Sequence, residues 1–229
     1  RANAVDYGVP QFRDRVFIIG SLDGFKVKGL DAFCSEENDL LSNSKLKWRT
    51  VENGLKNLSK LGAETTFNHT GRKHSQRIID RYSSMQFGER DSKTRINKLD
   101  PRRPSYAIIV GSDKGGGKGH IHPYEPREVT PRESARMQCF PDWWEFSGTT
   151  RHPIRQVGNA VPSLLGGAVG RAILKDIFSE SPRSYYEIIN LLDQTHLFSS
   201  SELELLKAFD LYDKQVHPNL AKPELTTCL

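Results

Sequence analysis

The run Arg15-Val16-Phe17-Ile18-Ile19-Gly20 limits what this chain can fold into more than any other stretch. It is short, apolar, β-branched and closed by a glycine, which reads as a buried strand. A buried strand needs neighbours in a sheet. The residues that follow, Ser21 to Lys47, mix Gly, Asp, Ser and Asn without a sustained period and read as a connection leaving one domain for another. The strand's partners must therefore come from elsewhere, and 229 residues suffice for one large domain or two small ones.

Beyond the connection the periodicity turns helical. Thr50 to Leu58 and Ser75 to Ser84 carry apolar residues at helical spacing, the first with Thr50 as its cap. Pro104 to Val110 reads as a strand. Gly111 to Gly119, with Gly115-Gly116-Gly117 inside it, reads as a loop whose side chains cannot obstruct an approaching ligand. Thr130-Pro131-Arg132-Glu133 is a helix start: a capping threonine, a proline at the first helical position and a glutamate that completes a capping box. That helix runs to about Gln138. A longer one follows Val161-Pro162, with Leu165, Val169, Ala172, Ile173 and Ile177 near one face and Gly166, Gly167 and Gly170 permitting close packing. Tyr185 to Leu192 and Ser201 to Leu211 read as two more, the last with Ser201 and Glu204 as its box.

Hydrophobic residues at 36% and charged residues at 27% are ordinary for a soluble globular protein. No run approaches the roughly 18 to 20 apolar residues of a membrane span, and no apolar signal opens the chain, so the expected setting is cytoplasmic with no membrane partner. Three scattered cysteines (Cys34, Cys139, Cys228) make no disulfide framework. His120 and His122 have no third ligand nearby in sequence, so no structural metal is expected. A net charge of +5 and a pI near 9.1 fit a nucleic-acid partner. The distribution says more: from Asn68 to Lys118 Lys and Arg outnumber the acids, with Tyr82, Phe87 and Tyr106 interleaved, although a solvated surface is the bland alternative.

Three segments, in order, resemble the last three conserved blocks of the DNA cytosine-5 methyltransferases. Gln11-Phe12-Arg13-Asp14-Arg15, just before the strand, is similar to the family's Gln-x-Arg-x-Arg block. Thr130 to Asp142 resembles the block that packs the recognition domain against the catalytic one, and Arg155-Gln156-Val157-Gly158-Asn159-Ala160-Val161-Pro162 is similar to the Gly-Asn-(Ala/Ser)-Val-Pro block. The resemblance implies an α/β fold: the carboxy-terminal part of a Rossmann-like S-adenosylmethionine-dependent methyltransferase domain plus a small mixed α+β target-recognition domain. On that basis residues 1–47 belong to the catalytic domain as strand and linker, 48–129 to the recognition domain, 130–180 to the return into the catalytic domain and 181–229 to a helical extension.

The resemblance also implies roles. Arg15 donates to O2 of a flipped cytosine and stabilises the negative charge that develops on the ring, while Arg13 braces the pocket. Taken alone, such a pair could equally be salt-bridged to the scaffold. Asn159, Ala160 and Val161 border the S-adenosylmethionine pocket, where a glycine before a polar residue at a helix start would let backbone and amide approach a ligand. Asp113, Lys114, Lys118 and His120, in or beside the glycine-rich loop, are candidates to read base edges of double-stranded DNA. Arg102 and Arg103 are candidates for phosphates, and Arg132 is expected to be architectural with a further contact to a DNA phosphate.

The family's reaction needs a cysteine thiolate that adds to C6 of a cytosine rotated out of the helix, from a Pro-Cys block that this sequence does not contain. The expectation is that the nucleophile comes from an amino-terminal segment or a separate subunit, and that this chain alone is inactive. A bacterial restriction-modification enzyme is the leading reading. A non-catalytic DNA-binding module and an RNA cytosine-5 methyltransferase stand beside it.

Overall fold

In the computed structural model, which describes residues 1–36, 45–58, 66–110, 117–149 and 151–216, the run after Arg15 is not a buried strand. β1 (Ala2–Asn3) pairs antiparallel with β2 (Asp14–Arg15), and the ladder stops there. Val16 and Ile18 are 72% and 97% exposed, and no ladder among the described residues includes residues 16–20. The cause is physical: β propensity selects a strand only where a partner supplies hydrogen bonds and a surface to pack on.

Two further short ladders follow: β3 (Cys34–Ser35) runs parallel to β4 (Leu46–Lys47), and β5 (Ile109–Val110) antiparallel to β6 (Gly117–Lys118). Gly117 and Lys118 are thus strand where a loop was expected, and the rest of that expected loop, residues 111–116, lies outside the described residues. The helices are α1 (Val51–Leu55), α2 (Gln76–Ser84), α3 (Pro131–Arg136), α4 (Arg151–Asn159), α5 (Ser163–Asp176), α6 (Tyr185–Leu191) and α7 (Ser200–Val216). Thr50 and Thr130 cap α1 and α3 through reciprocal boxes with Asn53 and Glu133. At α7 the box is Ser199 with Glu202, two residues earlier than expected; Ser199 N donates to Glu202 Oε2 at 2.8 Å.

The largest core joins a 3-10 turn (Ala4–Tyr7) to β3, α5, α6 and α7, burying Tyr7, Val9, Cys34, Leu165, Ile189 and Leu206. On α5 the buried positions are Leu164, Leu165, Ala168 and Ala172; Val169 and Ile173 are half-buried. Gly167 lets α6 approach closely, since a Cβ there would meet Ile188 at 3.1 Å. Arg151–Asp176, taken as one stretch, is long and apolar enough by composition to cross a membrane. It is broken at 160–162, however, and the buried face of α5 belongs to the core. A second core gathers Ile108, Ala135, Phe146, Ile154 and Val157; smaller ones gather Val51, Leu99, Val129 and Met137, and Tyr82, Met85, Ile96 and Ile121.

The carboxy-terminal helices are tied back to the start of the 48–129 region. Arg49, only 4% exposed, donates from Nη2 to Glu202 Oε1 at 2.8 Å and from Nη1 to Glu202 Oε2 at 3.0 Å and Leu197 O at 3.2 Å, with its guanidinium over Phe198.

Candidate active site

The 3-10 turn is capped by Asn3, whose Oδ1 also accepts from Arg13 N at 3.0 Å, and Gly8 closes it with φ of 76°. A side chain at Gly8 would suffer both the left-handed backbone and a 2.9 Å contact with the Phe33 ring. This fold-back delivers Arg13 to the interior, 2% exposed, where Nη2 donates to Gly158 O at 2.6 Å and Ala160 O at 2.8 Å. Burial, and then the neighbouring charge of Arg15, push the Arg13 guanidinium down to about 10. The first and third sequence blocks, far apart in the chain, therefore meet through one side chain.

Arg15 is half-buried, with Nη1 donating to the Asp14 carbonyl at 2.6 Å. The carboxylate beside it is taken: Arg1 Nη2 lies 2.9 Å from Asp14 Oδ2. Arg15 consequently makes no ion pair among the described residues.

The Gly158-Asn159 pair ends a helix instead of starting one. α4 closes at Asn159, the chain breaks at 160–162, and α5 begins at Ser163. Backbone carbonyls, the unsatisfied groups of a helix carboxy-terminus, are presented there in place of amide donors, and a buried cation is their natural partner. Asn159 is exposed, Ala160 half-buried and Val161 44% exposed, so the turn offers an amide and an apolar side chain outward.

The recognition segment is fastened to the same place. Gln11 and Ser105 form a parallel bridge: Ser105 N donates to Pro10 O at 2.8 Å and Phe12 N to Ser105 O at 2.9 Å. Gln11 is fully buried, and both its amide atoms and Arg13 Nε make no hydrogen bond among the described residues. Nearby, Phe12, Lys47, Trp48, Arg102 and Arg103, with Glu36 as the one acid among them, line a cavity of about 220 Å³. Arg103 is exposed; Arg102 is exposed as well but grips Asp100 through Nε and Nη2 at 3.0 and 2.9 Å. Lys47 and Trp48, which no sequence motif marked, belong to this basic mouth.

Two residues expected to contact DNA, His120 and Arg132, are buried in the fold. His120 is 2% exposed: its Nδ1 accepts from Asn97 N at 3.3 Å, which leaves the proton on Nε2 to donate to Ala107 O at 3.0 Å. Burial lowers its pKa and keeps the ring neutral. A base edge cannot reach it. His120→Ala is expected to lower stability by about 1–3 kcal/mol, through an orphaned amide and carbonyl, without changing base preference. Thermal unfolding with a site-preference assay checks both halves of that statement.

Arg132 is fully buried beneath α3 and donates to the carbonyls of Phe67 at 3.0 Å, Pro141 at 2.9 Å and Trp144. It stitches loops together and turns no donor toward a phosphate. Asp113 and Lys114 lie outside the described residues, and Lys118 is in β6.

Neither described cysteine is a nucleophile in this setting. Burial pushes the Cys34 thiol up to about 12 and that of Cys139 well above its ordinary value, and both lie in the largest core. Cys228 lies outside the described residues. No group of three or more His, Cys, Asp or Glu that could hold a metal ion is found among the described residues.

The chain is similar to known DNA methyltransferases. Type II methyltransferase M1.HphI of Haemophilus parahaemolyticus is 32% identical over 184 residues, covering 76% of this chain and 46% of that protein. M.BbvI of Brevibacillus brevis is 32% identical over 202 residues, covering 81% and 49%. The chain thus spans about half the length of the curated relatives it matches. A crystal structure of a DNA modification methyltransferase encoded in an E. coli prophage superposes with a TM-score of 0.53 at 28% identity, over 78% of this chain and 58% of that one, in keeping with a mixed α/β methyltransferase fold. The profile of the C-5 cytosine-specific DNA methylases matches residues 2–175, and the chain belongs to that family.

Proposed function

We propose that this chain is the carboxy-terminal, DNA-recognising part of a DNA (cytosine-5-)-methyltransferase of a restriction-modification system, acting in the bacterial cytoplasm on nucleoid DNA. The observation that carries the reading is the meeting of the first and third blocks with the recognition segment at one junction, with Arg13 on the 158–160 turn and Ser105 on Pro10 and Phe12. In this reading residues 48–129 recognise double-stranded DNA, Arg103 and Lys47 hold its backbone, and residues 111–116 with Lys118 meet base edges.

Arg15 donates to the cytosine O2. A guanidinium without a carboxylate partner among the described residues can stabilise charge developing on the ring, and it is already oriented by its bond to Asp14 O. S-adenosylmethionine supplies the methyl group. The outward amide of Asn159 and the exposed Val161 side chain suit a ligand with polar and apolar edges, and they make one side of its pocket. The thiolate comes from another segment or a partner subunit, a reading supported by the burial of Cys34 and Cys139 and by the exposed Val16, Ile18, Leu22 and Phe25, which offer an apolar surface to cover.

Mixing the chain with the segment that carries the nucleophile, then following labelled methyl transfer to duplex DNA, tests the proposal. Transfer is expected only from the mixture. Absence of transfer from folded, associated halves would overturn it, and tight duplex binding by the chain alone without any response to S-adenosylmethionine would favour a non-catalytic module. Lys114→Ala should relax preference at one position of the site by roughly ten- to a hundredfold, the scale of a lost base contact. Sequencing of methylated products reads that change directly.

A further inference from the structure

The segment Pro10 to Arg15 is held from two sides by bonds that do different work. On one side the bridge at Ser105 belongs to the strand that leads into β5 and residues 111–116. On the other, Arg13 Nη2 holds the carbonyls of Gly158 and Ala160, on either side of Asn159. The two attachments are only a residue or two apart along an extended backbone, too short a stretch to absorb a displacement of one without moving the other. Arg13 also has no room to adjust: it is 2% exposed, and no ion pair holds it among the described residues, so its charge is met by the carbonyl end of α4.

We propose that Pro10–Arg15 is a coupling segment, and that Arg13 is a positioning residue through which engagement of the recognition strand by DNA sets the affinity of the Asn159 turn for the adenosyl cofactor. By linkage, the cofactor tightens DNA binding by the same factor. The buried Gln11 amide, without a hydrogen bond among the described residues, belongs to the residue bridged to Ser105, two positions before Arg13, and gives the segment polar capacity that a second arrangement can use. This inference rests on the methyltransferase reading, and the experiment separates the two.

In the complete methyltransferase, S-adenosylhomocysteine serves as a non-reacting probe, and its Kd is measured by calorimetry with and without a duplex carrying the methylated site found by sequencing. Wild type is expected to bind it about tenfold more tightly with the duplex present, within the usual range of such couplings. Arg13→Ala should bind it at least tenfold more weakly and lose the duplex effect. Arg13→Lys, which keeps charge at the helix end, should recover part of both. Ser105→Pro removes the Ser105 N–H from the bridge together with the hydroxyl bonded to Tyr106 O, and its ring fixes φ where the amide met Pro10 O; it leaves Arg13 and the 158–160 turn untouched, so it should abolish the duplex effect while leaving the Kd without DNA within about twofold of wild type. A wild type that binds no S-adenosylhomocysteine sinks the methyltransferase reading. A wild type without a duplex effect, or folded Ser105→Pro and Arg13→Lys variants that both retain it in full, sinks the coupling. Melting curves of the three variants identify any that fail to fold, and the remaining ones decide.

Discussion

Arg15→Ala in the assembled enzyme lowers the rate of methyl transfer by ~10²–10³-fold, the scale of removing one preorganised donor at a developing negative charge, and weakens duplex binding only a few fold. The expectation comes from what the residue does and does not touch. Among the described residues its single hydrogen bond is to its own neighbour's carbonyl, and the adjacent carboxylate is occupied by Arg1. Nothing else among the described residues is held by that guanidinium, so its loss leaves the junction standing. Arg13 differs: it is buried and holds the α4–α5 turn, and its replacement should lower stability along with activity. Single-turnover rates beside duplex Kd values make the comparison, with Arg15→Lys as the intermediate case. Equal losses in rate and binding would mean that Arg15 holds a phosphate and not the ring.

Much of this junction was legible because its parts are local. The Thr130 box is read from spacing alone and stands where spacing puts it, whereas the two arginines do not share a face: Arg13 is buried against the 158–160 turn and Arg15 is half-buried beside Asp14. What escaped has a long-range cause. The helix α4 carries Pro153 and Gly158, which weaken any helical pattern, yet Pro153 sits in the first turn where its missing N–H costs nothing, and Ile154 and Val157 find the second core. Ser199 and Ser201 both stand three residues before a glutamate, so the motif could not choose between them. Arg49 chooses, by holding Glu202. His120 sits beside a glycine-rich loop and looked like a reader; it is buried because Asn97 and Ala107 meet across its ring. The run from Val16 to Ile19 has the composition of a buried strand without its neighbours, and composition cannot supply them.

Loss of Glu133 should be the most damaging change to the fold that leaves every proposed DNA and cofactor contact intact. Glu133 is 3% exposed and serves two structures at once: its oxygens accept from Arg127 Nη1 and Nη2 at 2.8 Å each, and Oε2 accepts from Thr130 N at 2.7 Å, closing the α3 box. Glu133→Ala therefore strands a buried guanidinium and orphans the Thr130 amide while the bond from Glu133 N to Thr130 Oγ1 still caps α3, at a cost of about 3–5 kcal/mol, moderated by the second bond of Arg127 to the more exposed Glu125. Glu133→Gln keeps the shape and loses the charge, which makes it the sharper variant for pH. Burial alone would push the Glu133 carboxyl up, but Arg127 more than offsets this and holds it below 4.5. A carboxylate with a lowered folded-state pKa contributes stability above its unfolded value, and that contribution is lost as pH falls through the folded one. Wild type should thus lose stability steeply below pH 4.5, and Glu133→Gln should be less stable at neutral pH with a shallower acid slope. Asp142, held low against burial by Arg136, keeps part of the slope in both proteins. Urea unfolding from pH 3 to 7 measures the difference. Parallel curves for the two proteins would mean that Glu133 keeps its proton in the native state and that α3 is held by packing alone.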